Sequence, residues 1–402
     1  MKFAHMADCH LGGWREQKIQ AVNILAFENA IDIAISNNVD FVIISGDLFN
    51  TSLPAIEIIK DAVSQLKRLK DHNINVYAVA GSHDFSPSGK TMIDVLEKAD
   101  LLFNVGKGKA HDGLLTLDFT ADSKTGAKIT GIPGRKGMLE KSTYENLDYN
   151  AIEKADGNKI FIFHAAIKEY LPGNLQIESL PLSFLPKNFR YYAGGHVHTV
   201  FSNKIGNSII AMPGPVFPNN FKELEELKFG GMFIVEWNES IKTTFVPIVA
   251  AKVISMQFDC TAKSPERLKL EILERLRQET LDKAIVLLRI SGTLEIGKIT
   301  EIDFSTVYDI AYSKGALHVM RNTAGVKIKE IENQKVDLTD VDDIEAKIIE
   351  SRKSNIDIAQ DEKKLVVELM NIMSAEKEEG ETKTAFEERM LADFELLMKK
   401  YP

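Results

Sequence analysis

Cysteine is nearly absent from this chain of 402 residues: Cys9 and Cys260 lie far apart and no C-x-x-C occurs. A disulfide framework and a zinc ribbon are both excluded on that count. No apolar run reaches eighteen residues, and the N-terminus has no secretion-type apolar stretch. The sequence therefore reads as cytoplasmic, with no membrane partner. It also lacks a G-x-x-x-x-G-K-[ST] loop, so any dependence on ATP has to come from another chain. Positive charge is in deficit, 49 Lys and Arg against 58 Asp and Glu, for a net charge of −9.

That deficit is unevenly spread. Residues 330–402 hold 11 Lys or Arg and 20 Asp or Glu, which leaves 38 of each sign in residues 1–329. The acidity belongs to the tail, and the first 329 residues are free to carry local basic patches for a polyanion. Candidates are Arg15 with Lys18, Lys107 with Lys109, Arg135 with Lys136, and Lys187 with Arg190.

What the chain does have is a set of metal-ligand residues in five short stretches: Asp8 and His10, Gly46-Asp47, Gly81-Ser82-His83-Asp84, His164, and Gly195-His196-Val197-His198. Each follows an apolar run of strand character, respectively Phe3 to Ala7, Phe41 to Ser45, Val76 to Ala80, Ile160 to Phe163 and Phe189 to Ala193. Ligands placed just past the C-terminal ends of successive strands converge on one edge of a sheet. Of the nine histidines, five fall at these ends; His5, His72, His111 and His318 carry no motif and read as structural or surface residues. An Asp-x-His or a Gly-Asp alone arises often by chance, but five stretches in order do not.

The residue types suit a binuclear site. Two divalent cations roughly 3.5–4 Å apart need a bridging carboxylate, hard oxygen donors and imidazoles, with positions left for water and a phosphate. Asp47 is the natural bridge. The i, i+2 spacing of Asp8 and His10 sends both to one side of an extended strand end, where they can share a cation. His196 and His198 repeat the spacing, although they can also face different metals. Cys9, between two ligands, points away by the same alternation. His83 follows the ligand position in its turn, beside Asp84, which is placed to orient it as an acid for the leaving oxygen.

This order of motifs resembles the calcineurin-like metallophosphoesterase superfamily. Within it, Phe3 to Gly12, Ser45 to Asn50 and Gly194 to His198 are similar to the nuclease subunit of the double-strand-break repair complex, over about the first 250 residues. The resemblance implies an α/β fold, a two-sheet sandwich flanked by helices, with a smaller α+β capping domain and a helical tail. It implies that Asp8, His10, Asp47 and His198 hold one Mn²⁺ ion, and that Asp47, Ser82, His164 and His196 hold a second. His83 would be the catalytic histidine and Asn50 a residue near the substrate phosphate, while Arg15, Arg135 and Lys136 are the substrate-binding candidates that the basic patches offer. The implied activity is cleavage of DNA single strands and duplex ends. A phosphatase of small molecules or phosphoproteins, and a weakly active DNA-end-binding scaffold, are the alternatives. The family has Asn where this chain has Ser82, whose shorter side chain leaves the second cation with a poorer donor.

Three regions are expected: a nuclease domain over 1–250, a capping domain over 251–335 and an acidic tail over 336–402. Amphipathic segments at Ile19 to Asn37, Ile56 to Lys70 and Thr91 to Lys98 alternate with the early strands. The second region reads as strand Lys252 to Phe258, helix Pro265 to Glu279 capped by Ser264, strand Ala284 to Ile290, helix Ser305 to Ser313 and strand Leu317 to Met320. In the tail, Leu365, Val366, Leu369, Ile372 and Met373 form one apolar stripe and Phe386, Met390, Phe394, Leu397 and Met398 another. These helices either fold back on the chain or dock on a partner, which by resemblance is an SMC-like ABC ATPase subunit (SbcC-type). Surplus apolar positions at Ile56, Ile59, Val63 and Leu66, and from Ile93 to Phe103, together with the resemblance, lead to the expectation of a homodimer.

Overall fold

The computed structural model describes residues 1–86, 89–135, 140–171, 173, 177–328, 365, 368, 369, 372, 373 and 383–400. Met1–Ile328 form one compact unit and Lys329–Pro402 a second. The first unit opens with β1 (Lys2–Met6), α1 (Gln17–Ser36), β2 (Phe41–Ser45), α2 (Ile56–Asp71), β3 (Asn75–Val79), α3 (Met92–Lys98) and β4 (Phe103–Asn104). A hairpin of β5 (Gly108–His111) and β6 (Leu114–Leu117) follows, then β7 (Thr120–Ala121), β8 (Lys128–Ile132), α4 (Glu140–Glu145), α5 (Tyr149–Lys154) and β9 (Lys159–His164). β10 (Tyr191–Gly195), β11 (Val200–Ile205), β12 (Ser208–Pro213), α6 (Phe221–Leu227), β13 (Gly230–Trp237) and β14 (Ile241–Ile248) complete the layer structure.

These strands make two six-stranded sheets, ordered β14-β13-β1-β2-β3-β4 and β11-β12-β10-β9-β8-β7. β1 through β4 run parallel to one another, as do β8, β9, β10 and β12. Period-two alternation then sorts the side chains. Phe3, Phe41, Ile43, Tyr77 and Val79 from the first sheet meet Ile129, Ile160, Ile162, Tyr191 and Ala193 from the second in one core. The intervening Ala4, Met6, Val42, Ile44, Val76 and Ala78 pack outward against the helices. Strands buried on both faces read as near-continuous apolar runs, which is how they look in the sequence.

α1 is the one helix among the described residues long and apolar enough to cross a membrane. Its Ile19, Val22, Ala26, Phe27, Ala30, Ile31 and Ala34, spaced three and four apart, are instead buried in the core against the first sheet.

Beyond residue 251 come β15 (Lys252–Asp259), α7 (Pro265–Gln278), β16 (Ala284–Leu294), α8 (Phe304–Ser313) and β17 (His318–Ile328). Ser264 caps α7 by accepting from the Arg267 N–H at 3.3 Å. The three strands are all parallel, so the module repeats a β-α-β crossover, and β16 and β17 extend well past the apolar stretches that mark them in the sequence. One face of this small sheet carries α7 and α8. Ile285 and Leu287 on the other face share the core of the first sheet and its helices. In the second unit, α9 (Lys383–Lys400) is a helix, residues 365, 368, 369, 372 and 373 are helical, and Lys400 reaches Glu368 at 3.4 Å. Leu365 and Leu397 are buried while Phe394 and Met398 stay exposed; Val366 lies outside the described residues.

Phe41 stacks on Phe3 at 4.9 Å between the two sheets. Phe41→Ala is expected to cost about 3–5 kcal/mol of stability, read from the urea midpoint by circular dichroism. A loss well under 1 kcal/mol would mean the sheets are not held by this layer.

Candidate metal centre

The five ligand stretches do converge, and the edge they share belongs to two sheets. Asp8 and Asp47 follow β1 and β2, Ser82 and His83 follow β3, His164 ends β9 and His196 follows β10. Asp8, His10 and His198 bring ligand atoms within 4.8 Å of one another; so do Asp8, Asp47 and His164, and so do His10, Asp47 and His83. Asp47 lies in two of the three groups. One of its oxygens, Oδ2, stands 3.1 Å from His164 Nε2 and 3.7 Å from His10 Nε2. The other, Oδ1, accepts the His83 backbone N–H at 2.8 Å.

The backbone is bent to make this possible. Asp8 (φ 51°), His10 (φ 43°), Asp47 (φ 51°) and His196 (φ 96°) all have left-handed or neighbouring positive-φ conformations. Such residues cost of order 1–3 kcal/mol each and gather at functional sites. Gly46, at φ 85°, has no alternative: a Cβ there would lie 2.2 Å from His164 Nδ1. A Cβ on Gly81 would lie 2.2 Å from Asp47 Oδ1, and one on Gly134 2.5 Å from His164 Cδ2. His164 and Asp47 thus sit in a socket that only bare backbone can line.

Hydrogen bonds set the histidine tautomers. His164 Nδ1 donates to the Ser45 carbonyl at 2.8 Å, and His83 Nδ1 to the Asn50 carbonyl at 2.9 Å. His198 Nδ1 meets Glu223 Oε1 at 3.0 Å, and His10 Nδ1 meets Asn50 Oδ1 at 3.2 Å. A neutral ring that donates from Nδ1 keeps its Nε2 lone pair, and in His10, His164 and His198 the Nε2 atoms face carboxylates or one another. His10 Nε2 and His198 Nε2 are 3.2 Å apart, and the buried His164 Nε2 faces only the Asp47 carboxylate, at 3.1 Å. Electron-rich atoms gathered so closely fit a shared cation, and these Asp and His donors suit a divalent metal.

Without a metal, protons do part of that work. Burial disfavours a charged His164, but Asp47 and Asp8 outweigh it and lift the imidazole to about 10. The Asp47 carboxyl is held far below the usual range, against its burial, chiefly by His164. Burial lowers His10 to about 3 and, with His164 beside it, His196 to about 4. His198 is raised, because Glu223 and Asp8 overcome its burial.

Two expectations, for Asp84 and Asn50, need correction. Asp84 does not orient His83. It is fully buried and accepts the backbone N–H groups of Gly81 (2.8 Å), Phe49 (3.0 Å) and Leu48 (3.3 Å), tying the β2 turn to the β3 turn. Burial, reinforced by Asp47, raises its carboxyl to about 7. The group that orients His83 is the Asn50 carbonyl, and the Asn50 amide faces His10 and Asn219 rather than standing open for substrate. His196 lies outside the three ligand groups; its ring packs edge-on to His164 at 5.1 Å. Ser82 is buried in the turn after Gly81. Arg15 is exposed, and Arg135, next to Gly134, stacks over Phe85 at 5.6 Å; Lys136 lies outside the described residues. Of the remaining basic candidates, Lys18 lies over Tyr312, Lys107 pairs with Glu97 at 2.5 Å, and Arg190 lies over Trp237. Cys9 is buried in the apolar core, as its alternation implies.

Sequence reasoning missed Glu223, Asn219 and Ser45, while His5 is structural, as its lack of a motif implied. His5 is buried, with Nδ1 2.9 Å from Tyr191 Oη and Nε2 2.9 Å from Ser45 Oγ, and Ser45 Oγ donates to the Ala193 carbonyl at 3.1 Å. Burial lowers this histidine to about 3, so it is a neutral strut between the two sheets. The only signal for Glu223 is Asn220-x-x-Glu223, a helix-start pattern that says nothing about a metal.

Residues 1–200 match the family model for calcineurin-like phosphoesterases. The chain is 32% identical over 241 residues to the DNA double-strand break repair protein Mre11 of Methanococcus maripaludis, an alignment covering 58% of this chain and 61% of that protein. It is 27% identical to the protein of the same name from Archaeoglobus fulgidus, over 75% of this chain and 71% of that one. Against the Sulfolobus acidocaldarius protein of that name, identity is 28% over 92% of this chain and 95% of its relative.

The pH dependence follows from His164, whose folded value of about 10 lies above its ordinary 6.5. Its contribution to the metal-free protein is therefore complete below about pH 6.5 and lost as pH rises toward 10. A divalent metal has to displace that proton, so binding near pH 7 is expected to release about one proton or more. Calorimetry in two buffers of different ionisation enthalpy measures this release. Binding with none would show that His164 is neutral beforehand.

Proposed function

We propose that this chain, which belongs to the calcineurin-like phosphoesterase family, is a Mn²⁺-dependent DNA nuclease of a double-strand-break repair complex, cutting single strands and duplex ends in the cytoplasm. The observation that carries the reading is the set of imidazole nitrogens gathered within 4.8 Å of the Asp8 and Asp47 carboxylates. DNA as the substrate is supported by the names of the aligned relatives. The charge balance of residues 1–329 is compatible with it.

Asp8, His10, Asp47 and His198 would hold the first Mn²⁺ ion, and Asp47, His164, His196 and Ser82 the second. When bound, such a pair of cations makes a water more acidic and offsets the charge that develops on the phosphoryl oxygens. The protein does the rest by position. Asp8 accepts the His196 N–H at 3.0 Å and keeps that turn against the carboxylates. His83, with Nδ1 pinned on the Asn50 carbonyl and a ring nitrogen grouped with Asp47 and His10, would serve as the acid that gives its proton to the leaving oxygen. Arg15 and Arg135, exposed near the rim, are the proposed phosphate contacts.

The test is cleavage of labelled single-stranded and duplex DNA with Mn²⁺ alongside a chromogenic phosphate ester, using the wild type, Asp47→Asn and Ser82→Asn. Metal-dependent cleavage of DNA is expected, with a loss of about 10³-fold or more in Asp47→Asn, the order associated with removing a principal electrostatic group. Ser82→Asn should raise the rate at low Mn²⁺ by restoring a longer oxygen donor. Hydrolysis of the ester without DNA cleavage would instead identify a phosphatase, and DNA binding without either would identify a scaffold.

Assembly is proposed to be a homodimer through α2 and α3, with the tail docking an SMC-like ABC ATPase. Leu66, Ile93, Leu96 and Leu102 are spent on the core, but Leu53, Ile56, Val95 and Phe103 remain exposed near these helices. Light scattering at micromolar concentration should give twice the chain mass, and deletion of residues 361–402 should spare single-strand cleavage while abolishing capture of the ATPase. A monomeric mass, or capture by the truncated chain, would refute the corresponding half.

A further inference from the structure

α6 has only seven residues, but both of its long faces are engaged. Successive residues turn by about 100°, so Glu223 and Glu225, two apart, project from nearly opposite sides. Glu223 faces the ligand cluster: its Oε1 meets His198 Nδ1 at 3.0 Å and accepts from Asn220 Nδ2 at 2.5 Å, while its Oε2 accepts the Asn219 N–H at 2.8 Å. Asn219, just before the helix, reaches Asn50 Oδ1 at 3.4 Å, the same oxygen that meets His10 Nδ1 at 3.2 Å. A Cβ on Gly13 would lie 2.3 Å from Asn219 Oδ1, so this approach is as tight as the socket around His164. His198 Nδ1 is therefore held by Glu223 directly, and His10 Nδ1 by Asn50, whose oxygen Asn219 also reaches at the start of the same short helix.

The opposite side is held by the three-stranded module. Arg289 of β16 donates from Nε to Glu225 Oε1 at 3.0 Å and Oε2 at 2.7 Å, and its Nη2 lies 2.6 Å from Oε2. The same guanidinium lies 5.2 Å over the ring of Phe221, at the first turn of α6, and Ser255 of β15 donates to Glu225 at 3.3 Å. Leu224 between the two glutamates is fully buried, in the core that also takes Ile285 and Leu287 of β16. A bidentate, stacked arginine fixes orientation as well as distance.

We propose that α6 is a positioning element that makes the geometry of His198 and His10, and with it the affinity for metal, depend on how the three-stranded module is seated. Glu223 and Asn219 act on the histidines, and Arg289 with Glu225 holds the helix that carries them. The inference rests on the cluster binding a divalent cation, as proposed above.

The experiment is Mn²⁺ titration by calorimetry of the full chain, in wild type, Glu223→Gln, Arg289→Met and the double variant, with hydrogen exchange of residues 219–228 measured in metal-free protein. Partners of this kind typically set metal affinity by 10–100-fold. Glu223→Gln is expected to weaken Mn²⁺ binding by about 10-fold or more, and Arg289→Met, which removes no group near the cluster, by about 3- to 10-fold, an order judged from the same range. The double variant should lose less than the product of the two, because both act through one helix. Exchange in 219–228 should rise in Arg289→Met, and the swapped pair Glu225→Arg with Arg289→Glu should recover part of the affinity. Should Arg289→Met not fold, Arg289→Lys, which keeps the charge but not the fork, carries the same expectation. Mn²⁺ affinity within about 2-fold of wild type in a folded Arg289 variant, or losses that multiply independently, would overturn the coupling and leave the clamp a structural fastening. A wild type that binds no Mn²⁺ would instead overturn the metal reading and this inference together.

Discussion

Asp47 Oδ2 and His164 Nε2 meet at 3.1 Å inside a pocket that also buries Asp8 and Asp84, and two electron-rich atoms at that separation need positive charge between or beside them. Burying a carboxylate is expensive unless it is paired, and three of them share this space. In the metal-free chain the deficit shows as protons held where they ordinarily would not be, on His164 to about 10 and on Asp84 to about 7. His10 and His196 move the other way, since their burial is not outweighed by any single carboxylate. The cluster thus separates histidines that take a proton from histidines that offer a lone pair. Both kinds fit a site organised for a cation.

The two-sheet sandwich exists in this chain to deliver that pocket. Asp8, His10, Asp47 and His83 arrive from the first sheet and His164, His196 and His198 from the second, and two of the three ligand groups draw on both. Ser45 is the pivot between them: its carbonyl accepts from His164, and its hydroxyl links His5 to the Ala193 carbonyl. The bare backbone at Gly46, Gly81 and Gly134 then lets the two edges close to a distance that no side chain would allow. The positive φ values of Asp8, His10, Asp47 and His196 are the local strain that this closure costs.

Charge is divided along the chain in a way that matches this arrangement. Residues 1–329 are electrically balanced, so the negative cluster is not embedded in a generally acidic unit, and the excess of −9 is confined to residues 330–402.

Much of this was legible from residues alone. The apolar runs before Asp8, Asp47, Ser82, His164 and His196 mark strands because a strand buried on both faces has no polar side to show, and ligand residues at their ends stand out against them. Cys9 between Asp8 and His10 does face the core, although the two ligands reach the pocket through positive-φ backbone rather than strand alternation. Ser264 could be read as a helix start for the same local reason. Tertiary structure alone decided which groups hold the ligands in place. Asp84 is adjacent to His83 in sequence, yet three backbone N–H groups claim it, and the Asn50 carbonyl, 33 residues away, takes the histidine instead. Glu223 and Arg289 carry no metal-site motif, because their partners, His198 and Glu225, become neighbours only after two sheets and a third have packed. Short-range periodicity records which face a residue occupies. Its hydrogen-bond partner across the pocket is set by how whole layers dock, and that information is not local.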